Sequence, residues 1–495
     1  MALTFNDYMN QPVAERIVLV EISKGASNYY FSDKPYVTES GDALSNVLFD
    51  AIIAPNGLPR LKWSVPDFVH GRAAKNYGTL KLSSFIVSDG TDLRSLDLHG
   101  ATIEIRLAAP RKLYPYSDAI VLFAGEITDV SGNANLLSYV ASEQQSNTDG
   151  FKLPINRFDK DLEAASFPPE NDGRFKPLAF GYTRNISAFV VDSDTRVYQV
   201  HDIAEFALND ITAVYDNGVP VTFTKNLAGG EFTLTNPPAG QVTADVTGAE
   251  HPGGYLVATS ESILGLLLET YIGLPTGQQS IDINDTGFNV SIGFYLTDTV
   301  DLKTLFTNIC RAKIAWWSYD RNGDFRALNY SAPDVTAIQT YFEQEIFSIK
   351  WSEDNLRIWR VVISHNRNYT ILSNPAASLS VGEQEKFRKE SSQAVYEDAT
   401  IKSNYPDAVE LVLDTYFDAI PYLSFSNLST KIFELWGVRR IKVTVEVPLK
   451  LPLIELGNTI ALEHSDSFFN GNWVVLDITD NIGGKVPTQT LELWR

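Results

Sequence analysis

Cysteine is nearly absent from the sequence, since Cys310 is the one cysteine among 495 residues. A lone cysteine cannot form a disulfide within its own chain, and it cannot build a metal site from several thiolates. Such a chain suits the reducing cytosol, where disulfides are rare. Cys310 lies on the apolar stripe of a predicted helix, so we expect it to be a small core residue.

Motifs that hold metals, phosphates or activated nucleophiles are also missing. No two histidines have the i, i+4 spacing of a helical zinc site, and neither Gly-x-Ser-x-Gly nor Gly-x-x-x-x-Gly-Lys-Ser/Thr occurs. We therefore expect no catalytic, cofactor-binding or metal-binding residues, and no enzymatic activity. The scattered histidines are His70, His99, His201, His251, His365 and His464.

Two acidic clusters leave a functional alternative open. Asp320, Asn322 and Asp324 have oxygen ligands at alternate positions, as calcium loops do, but the glycine and the distal glutamate of such a loop are misplaced. A hairpin turn is the favoured interpretation. Glu343 and Glu345 have the chemistry to hydrolyse glycans as a carboxylate pair, but in so acidic a chain a solvated surface is favoured.

Two aromatic clusters could likewise have either a functional or a structural role. Tyr29-Tyr30-Phe31 and Trp316-Trp317 have faces on which a sugar ring could stack. Alternation along a strand, however, turns half of such side chains toward the core. Core or subunit contact is therefore favoured over sugar binding.

Long hydrophobic runs are lacking. Apolar stretches such as Ile17–Val20 and Ile263–Leu268 are far shorter than the roughly 20 residues that cross a bilayer. The start MALTFNDYMN has no basic segment followed by an apolar core. We expect neither a membrane span nor a signal peptide.

Basic residues are in deficit, with 40 Lys and Arg against 61 Asp and Glu and a formal net charge of -21. This balance disfavours specific nucleic-acid binding through phosphate neutralisation, and it disfavours an anionic membrane surface. Plain solubility explains the charge, and an acidic wall past which DNA slides without sticking is the alternative.

The stretch Thr297–Tyr330 predicts a helix followed by a β-hairpin. Asp298 is the expected N-cap, with Asp301 three residues on, and apolar residues recur with helical spacing. The turn Asp320–Asp324 then separates two strands. We expect the apolar helix face to be buried against Trp316-Trp317; it is formed by Leu302, Leu305, Phe306 and Ile309.

Strand-rich ends and a mixed middle predict a mainly β chain with α+β insertions. Ile103, Ile105 and Leu107 alternate with polar residues near the N-terminus, and Val443, Val445 and Val447 do so near the C-terminus. We expect two similar barrels at the ends, further helices near 260–272 and 428–436, strands at 346–365 and 394–418, and a polar loop near 371–392. The expected domains are a first β-barrel at 1–145, an extended connection at 146–177, a small β-rich domain at 178–255, an α+β domain at 256–345 and a second β-barrel at 346–495.

Three stretches resemble the tail hub proteins of tailed bacteriophages, which occupy the tail tip or the centre of the baseplate. In the first domain, GTLKLSSFIVSDGTDLRSLDLHGATIEIR followed by VLFAGEITDV is similar to the hub pattern that ends in a Phe-x-Gly-x-Ile strand. In the last, PLIELGNTIALEH and WVVLDITD resemble the closing barrel, with the turn Leu456-Gly457-Asn458. Between them, KPLAFGYTRNISAFVVDSDTRVYQVHD and the run 237–248 look like a tail insertion domain.

The resemblance implies two tube-like β-barrel domains with smaller domains inserted between them. Three copies would then form a pseudo-sixfold ring that joins the tail tube to the tip and surrounds the DNA exit channel used in genome ejection. The implied partners are the tail tube or a distal tail protein ring, the tape measure protein, and a tip or central fibre protein. The implied location is the virion tail tip, after synthesis in the bacterial host cytoplasm. A receptor- or glycan-binding tail adhesin, with the contact in residues 150–255, is the alternative.

Overall fold

Strands dominate the structure, as the predicted fold class requires, and helices are few. The computed structural model describes residues 3–65, 71–76, 78–142, 148, 150–283, 291–414, 422–484 and 486–495. His70, residues 146, 147 and 149 of the predicted connection and residues 415–418 of the predicted strands lie outside them. Contacts divide the chain into two discontinuous units. Unit 1 contains Met1–Ser146, Trp316–Asn355 and Arg439–Arg495, and unit 2 contains Asn147–Ala315 and Leu356–Val438. The five sequence-based domains stay a prediction beside this division.

The strands follow one another along the described residues in this order. The first ten are β1 Ile17–Lys24, β2 Ser27–Ser32, β3 Tyr36–Val37, β4 Leu48–Phe49, β5 Arg60–Ser64, β6 Ala74–Asn76, β7 Thr79–Leu82, β8 Thr102–Ala108, β9 Ile120–Gly132 and β10 Leu137–Ser142. There follow β11 Lys152–Leu153, β12 Leu178–Ser187, β13 Phe189–Asp192, β14 Val197–Gln199, β15 Ala207–Asp216, β16 Val219–Pro220, β17 Phe223–Asn226, β18 Glu231–Leu234, β19 Val242–His251, β20 Tyr255–Leu256, β21 Gln279–Asp282, β22 Gly293–Leu296 and β23 Val300–Asp301. The remainder are β24 Ala315–Tyr319, β25 Phe325–Asn329, β26 Gln339–Phe342, β27 Ser348–Asp354, β28 Ile358–His365, β29 Ser392–Glu397, β30 Val409–Asp414, β31 Arg440–Pro448, β32 Thr459–Glu463, β33 Gly471–Asn481 and β34 Thr488–Trp494.

The α-helices are short and lie mostly in unit 2. They are α1 Phe5–Met9, α2 Ser260–Leu267, α3 Leu302–Ala312, α4 Val381–Arg388, α5 Ala399–Asn404 and α6 Tyr422–Trp436. A π-helical turn, Leu268–Ile272, extends α2 until Gly273 adopts φ 72°. The helices predicted near 260–272 and 428–436 are thus confirmed.

The first sheet of unit 1 closes into a barrel. Its strands run in the order β2-β1-β8-β9-β10-β7. Residues 50–54 connect the two edges, because the Ser32 amide donates to the Asp50 carbonyl at 2.8 Å on one side and the Ser83 amide donates to the Ile52 carbonyl at 2.7 Å on the other. In β8 the predicted alternation is confirmed, with Ile103, Ile105 and Leu107 all buried.

The second sheet of unit 1 is strongly bent. Its main path is β26-β32-β33-β34-β31-β27, and β5 from the N-terminal segment pairs with β33, so that Trp63 lies opposite Ile478. In a flat sheet of six strands the edges would be about 24 Å apart, at about 4.8 Å between strands. The step from Phe342 to Ser348 spans at most about 21 Å even when fully extended. Since residues 343–345 form a compact 3-10 turn, the sheet must bend strongly.

Unit 2 contains the small β-rich region and most of the helices. One sheet has the order β16-β15-β19-β12-β22, and a second has β13-β14-β18-β17. The predicted Asp-Asn-Gly turn is confirmed between β15 and β16, where Asn217 and Gly218 both have positive φ, as a type I′ turn requires. A separate sheet of order β29-β28-β30 lies against α6.

The predicted helix and β-hairpin at 297–330 are both confirmed, but the predicted N-cap residue of the helix is wrong. α3 buries its apolar face completely, and β24 and β25 form the hairpin. The N-cap, however, is Asp301 rather than Asp298, and the Asp301 side chain makes no capping hydrogen bond. The packing of this helix face on Trp316-Trp317 stays a prediction.

One local prediction in the second half of the chain is wrong and another is confirmed in part. The polar loop near 371–392 contains α4, which begins with a capping box in which Ser380 and Glu383 bond to each other's backbone amides. The strands predicted over 394–418 occur as β29 and β30, but the helix α5 lies between them.

The extended connection at 146–177 stays a prediction. Two of its side chains are buried, because Phe158 and Phe167 pack into the fold, with the Phe158 ring centroid 5.6 Å from that of Phe189.

Candidate assembly surface

Strand β27 is the least covered strand of the second barrel. None of its residues is buried, and Trp351 is 54% exposed. Its neighbour β31 behaves differently: Val443 and Val445 are fully buried, with Val443 paired opposite Trp351 and Val445 opposite Ile349. Directly paired residues point to the same face of a sheet. Trp351 therefore lies on the core face of the barrel, which is only partly covered at this edge by an edge-to-face contact with Phe468, 5.2 Å between ring centroids.

Further apolar side chains are exposed in the segment that leads to β27. They belong to the approach to β26, to the end of β26 and to the connection between the two edge strands. We call these residues, together with Trp351, the edge patch; they are Val335, Ile338, Phe342 and Phe347, with exposures of 98%, 44%, 42% and 57%.

The backbone of β27 can form hydrogen bonds beside the edge patch. Within the described residues β27 pairs with β31 on one edge and with no strand on the other. A free edge presents a row of amide and carbonyl groups to another chain. The edge patch therefore combines a sheet edge with a partly uncovered core face, which is the chemistry of a subunit contact.

A buried arginine connects the two barrels inside unit 1. Arg321 is 2% exposed, donates from Nη1 to the Leu122 carbonyl of β9 at 3.4 Å, and donates from Nη2 to the Ile454 carbonyl at 3.1 Å. It forms ion pairs with Asp480 of β33, which is fully buried, and with Glu455 at 3.1 Å. The position lies inside the predicted hairpin turn, so sequence reasoning missed it.

The charge on Arg321 is stabilised by its neighbours. Burial alone would lower the pKa of the guanidinium, but Asp480 and Glu455 raise that pKa above its ordinary value. The guanidinium also lies over the Trp63 ring, 4.2 Å from its centroid. Arg321 thus places a buried, ion-paired charge between the two barrels of unit 1.

Most of the residues singled out in the sequence have a role in the fold itself. The Cys310 thiol is fully buried, and burial raises its pKa, so it has the character of a core residue. The Asp320 carboxylate accepts from the amides of Asn322 at 2.9 Å and Asp324 at 3.0 Å, which confirms the hairpin turn. No group of three or more potential metal ligands occurs in the part of the chain that the structure describes.

The acidic pair and the aromatic clusters are engaged within the fold. Glu343 accepts a hydrogen bond from the Ser465 hydroxyl at 2.7 Å, which lowers its pKa, and Glu345 pairs with Lys450 at 2.6 Å. Phe31, Trp316 and Trp317 are buried, as the core interpretation predicted, whereas Tyr29 and Tyr30 are half-buried.

Histidine 201 is buried without charge. Its Nδ1 accepts from the Ala179 amide at 3.1 Å, so Nε2 carries the proton and donates to the Phe206 carbonyl at 3.0 Å. Burial lowers its pKa to about 4.

Among the described residues, no helix is long and apolar enough to cross a membrane.

Comparison with known proteins finds similarity in structure rather than in sequence. The sequence matches no protein-family model and no curated protein. Among solved structures, the tail protein from Neisseria meningitidis MC58 aligns with a TM-score of 0.44 and 9% identity, over 97% of this chain and 96% of that one. The 43 kDa tail protein of prophage MuSo2 from Shewanella oneidensis gives 0.43 and 6%, over 96% and 98%. The prophage tail protein gp18 from Listeria monocytogenes EGD-e gives 0.40 and 10%, over 97% and 94%. Each of these three solved structures is described as a tail protein.

Proposed function

We propose that this protein is a structural, non-enzymatic hub of a phage tail tip or baseplate, and that it works as a homotrimer. One observation carries the proposal: unit 1 combines two curled β-sheets in one body and leaves the core face of the second partly open at Trp351. Three such bodies place six barrels around one axis. This arrangement joins a sixfold tail tube, or a distal tail protein ring, to a threefold tip or central fibre.

The edge patch supplies the free energy for ring closure. An exposure of 54% on a side chain that buries up to about 250 Å² corresponds to about 135 Å² of Trp351 still in water. Covering that area stabilises the contact by about 3 kcal/mol per subunit, at about 25 cal/mol per Å². Pairing of the free β27 edge adds hydrogen bonds that fix the register of the neighbour.

Net charge fits a passage for DNA through such a ring. Three chains of charge -21 give 3 × -21, or -63, for the assembly. An acidic lumen repels the phosphates of the exiting genome, so that the DNA does not stick to the wall. The tape measure protein would occupy the same channel before ejection, and the virion tail tip is the proposed location.

Solution mass tests the proposal, with Trp351→Ser as the disrupting change. A trimer of a 55.0 kDa chain has a mass of 3 × 55.0, or 165 kDa, by light scattering. Leu162→Ser removes an apolar residue that is 83% exposed in unit 2 and serves as the matched control. The proposal expects Trp351→Ser to dissociate the trimer and Leu162→Ser to leave it intact. A wild-type monomer at all concentrations, with and without its tube partner, contradicts it.

A further inference from the structure

Strand β30 forms an exposed edge of the three-stranded sheet β29-β28-β30 in unit 2. Within the described residues it pairs with β28 on one edge and with no strand on the other. Of its six residues Leu413 alone is buried. An edge of this kind can accept a strand from another chain, because its outward amide and carbonyl groups have no ladder partner. The hub function proposed above does not use this edge.

One face of the sheet carries a row of three valines that ends at β30. Val362 of β28 lies opposite Val395 of β29 and opposite Val412 of β30, so the three side chains share one face. Val362, in the centre, is 6% exposed, whereas Val395 and Val412 are 42% and 52% exposed. An apolar side chain on a fourth strand beside Val412 extends this row and removes apolar surface from water.

A second row on the same face consists of alternating charges. Arg360 of β28 lies opposite Glu397 of β29 and Glu410 of β30, and its guanidinium forms ion pairs with them at 3.1 Å and 3.0 Å. The row is therefore acidic, basic and acidic across the three strands. Because opposite charges on neighbouring strands attract and like charges repel, a basic side chain is the one that fits beside Glu410.

A third row also ends in a carboxylate at β30. Asp414 lies opposite Ser364, which in turn lies opposite Gln393. Asp414 is exposed and forms no ion pair within the part of the chain that the structure describes. Since Glu410, Val412 and Asp414 are two residues apart, they point to the same face. The edge thus presents the pattern acidic-x-apolar-x-acidic, which disfavours an acidic partner strand and favours a basic one.

We propose that β30 binds an extended segment of a partner protein with the pattern basic-x-apolar-x-basic. The segment adds a fourth strand, with its basic side chains beside Glu410 and Asp414 and its apolar side chain beside Val412. Pairing between the β30 edges of two copies of this chain is disfavoured, because it brings carboxylates together. The proposal does not depend on the trimeric hub, since all the residues involved belong to unit 2 of one chain.

The test measures binding of two fluorescein-labelled peptides to the full-length protein by fluorescence anisotropy. The buffer has low ionic strength, because salt screens contacts between exposed charges. The basic probe is Thr-Lys-Thr-Val-Thr-Lys-Thr, and the acidic probe has glutamate in place of both lysines. The charge-reversal variant is Glu410→Lys/Asp414→Lys. Its matched control, Asp161→Lys/Glu170→Lys, changes the net charge equally at two exposed positions of unit 2.

The basic probe should bind the wild type and the control variant equally, and about tenfold more tightly than the acidic probe, because two attractive pairs replace two repulsive ones. The charge-reversal variant should show the opposite preference. Equal binding of the two probes to the wild type, no binding of the basic probe, or an unchanged preference in the charge-reversal variant would overturn the proposal.

Two N-methylated forms of the basic probe test the backbone pairing. One form is methylated at the lysine and valine amides and the other at the threonine amides, and these two sets face opposite edges of an extended peptide. One form should lose binding and the other should keep it, so loss by both or by neither would contradict strand addition. If charge reversal without peptide lowers the solution mass, a second copy of this chain covers the edge and the proposal is wrong. The peptide results leave the Trp351→Ser test of the hub unaffected.

Discussion

Replacing Arg321 by methionine should destabilise unit 1 severely. The change removes the cation but leaves Asp480, which is fully buried, without its ion-pair partner. Removing one member of a buried ion pair lowers the free energy of unfolding by about 3–5 kcal/mol, because the remaining charge stays in a medium of low polarity. The lost contacts to the Leu122 and Ile454 carbonyls act in the same direction. Unit 1 should therefore unfold at a lower urea concentration.

A surface pair provides the control for this experiment. Arg94 contacts Asp92 at 2.7 Å with a side-chain exposure of 57%, and exposed pairs of that kind contribute little to stability because water screens them. Arg94→Met should therefore leave the urea midpoint nearly unchanged. Tryptophan fluorescence follows the transition directly, since Trp63 lies against the Arg321 guanidinium.

The double variant Arg321→Met/Asp480→Asn separates electrostatics from packing. Removing both charges eliminates the uncompensated carboxylate, and the new side-chain amide retains an oxygen that can accept from Gln489, as Asp480 does at 2.8 Å. At least half of the lost stability should return. If Arg321→Met loses less than about 1 kcal/mol, or if the double variant is no better than the single one, then the buried charge does not stabilise unit 1.

Three further predictions follow from other parts of the chain. The pKa of His201 in the folded state, at about 4, lies below the ordinary 6.5. The free energy of unfolding should therefore be highest above about pH 6.5 and should fall by about 3 kcal/mol as the pH drops toward 4. The urea midpoint of His201→Gln should lack this pH dependence. Phe306→Ala should lower the free energy of unfolding by about 3–5 kcal/mol, because Phe306 is fully buried. Val381→Ala, at a site that is 75% exposed, should leave it nearly unchanged. A loss below about 1 kcal/mol for Phe306→Ala would refute the prediction. The trimer should dissociate less at about 0.15 M salt than in dilute buffer, because the screening length at that salt concentration is about 8 Å. Gel shifts should show no binding of duplex DNA in either buffer. Tight DNA binding at low salt would refute the acidic lumen.

Local features of the fold could be predicted from the sequence because their causes are local. Alternating residues such as Val443 and Val445 specify a strand with one buried face wherever that strand pairs. The Asp-Asn-Gly turn before Val219 carries its own backbone preference. α4 was missed because its signal lies in the capping box at Ser380 rather than in an apolar stripe, and no residue of that helix is buried.

Long-range features could not be predicted in the same way. The pairing of β5 with β33 joins residues more than 400 positions apart, and no local pattern encodes it. Arg321 resembles an ordinary turn residue in the sequence, since turn composition does not show which side chain points inward. Trp351 follows the strand alternation, and only the register with Val443 reveals that it lies on a partly uncovered core face.

Imaging of the assembled particle tests the central claim most directly. A label fused to this chain should appear at the tail tip in projection images, on the axis of the tail, with three copies per particle. Averaged end-on views should show a ring of six density lobes with threefold symmetry. A label on the tail shaft or on peripheral fibres, or a copy number that is not a multiple of three, would contradict the hub assignment.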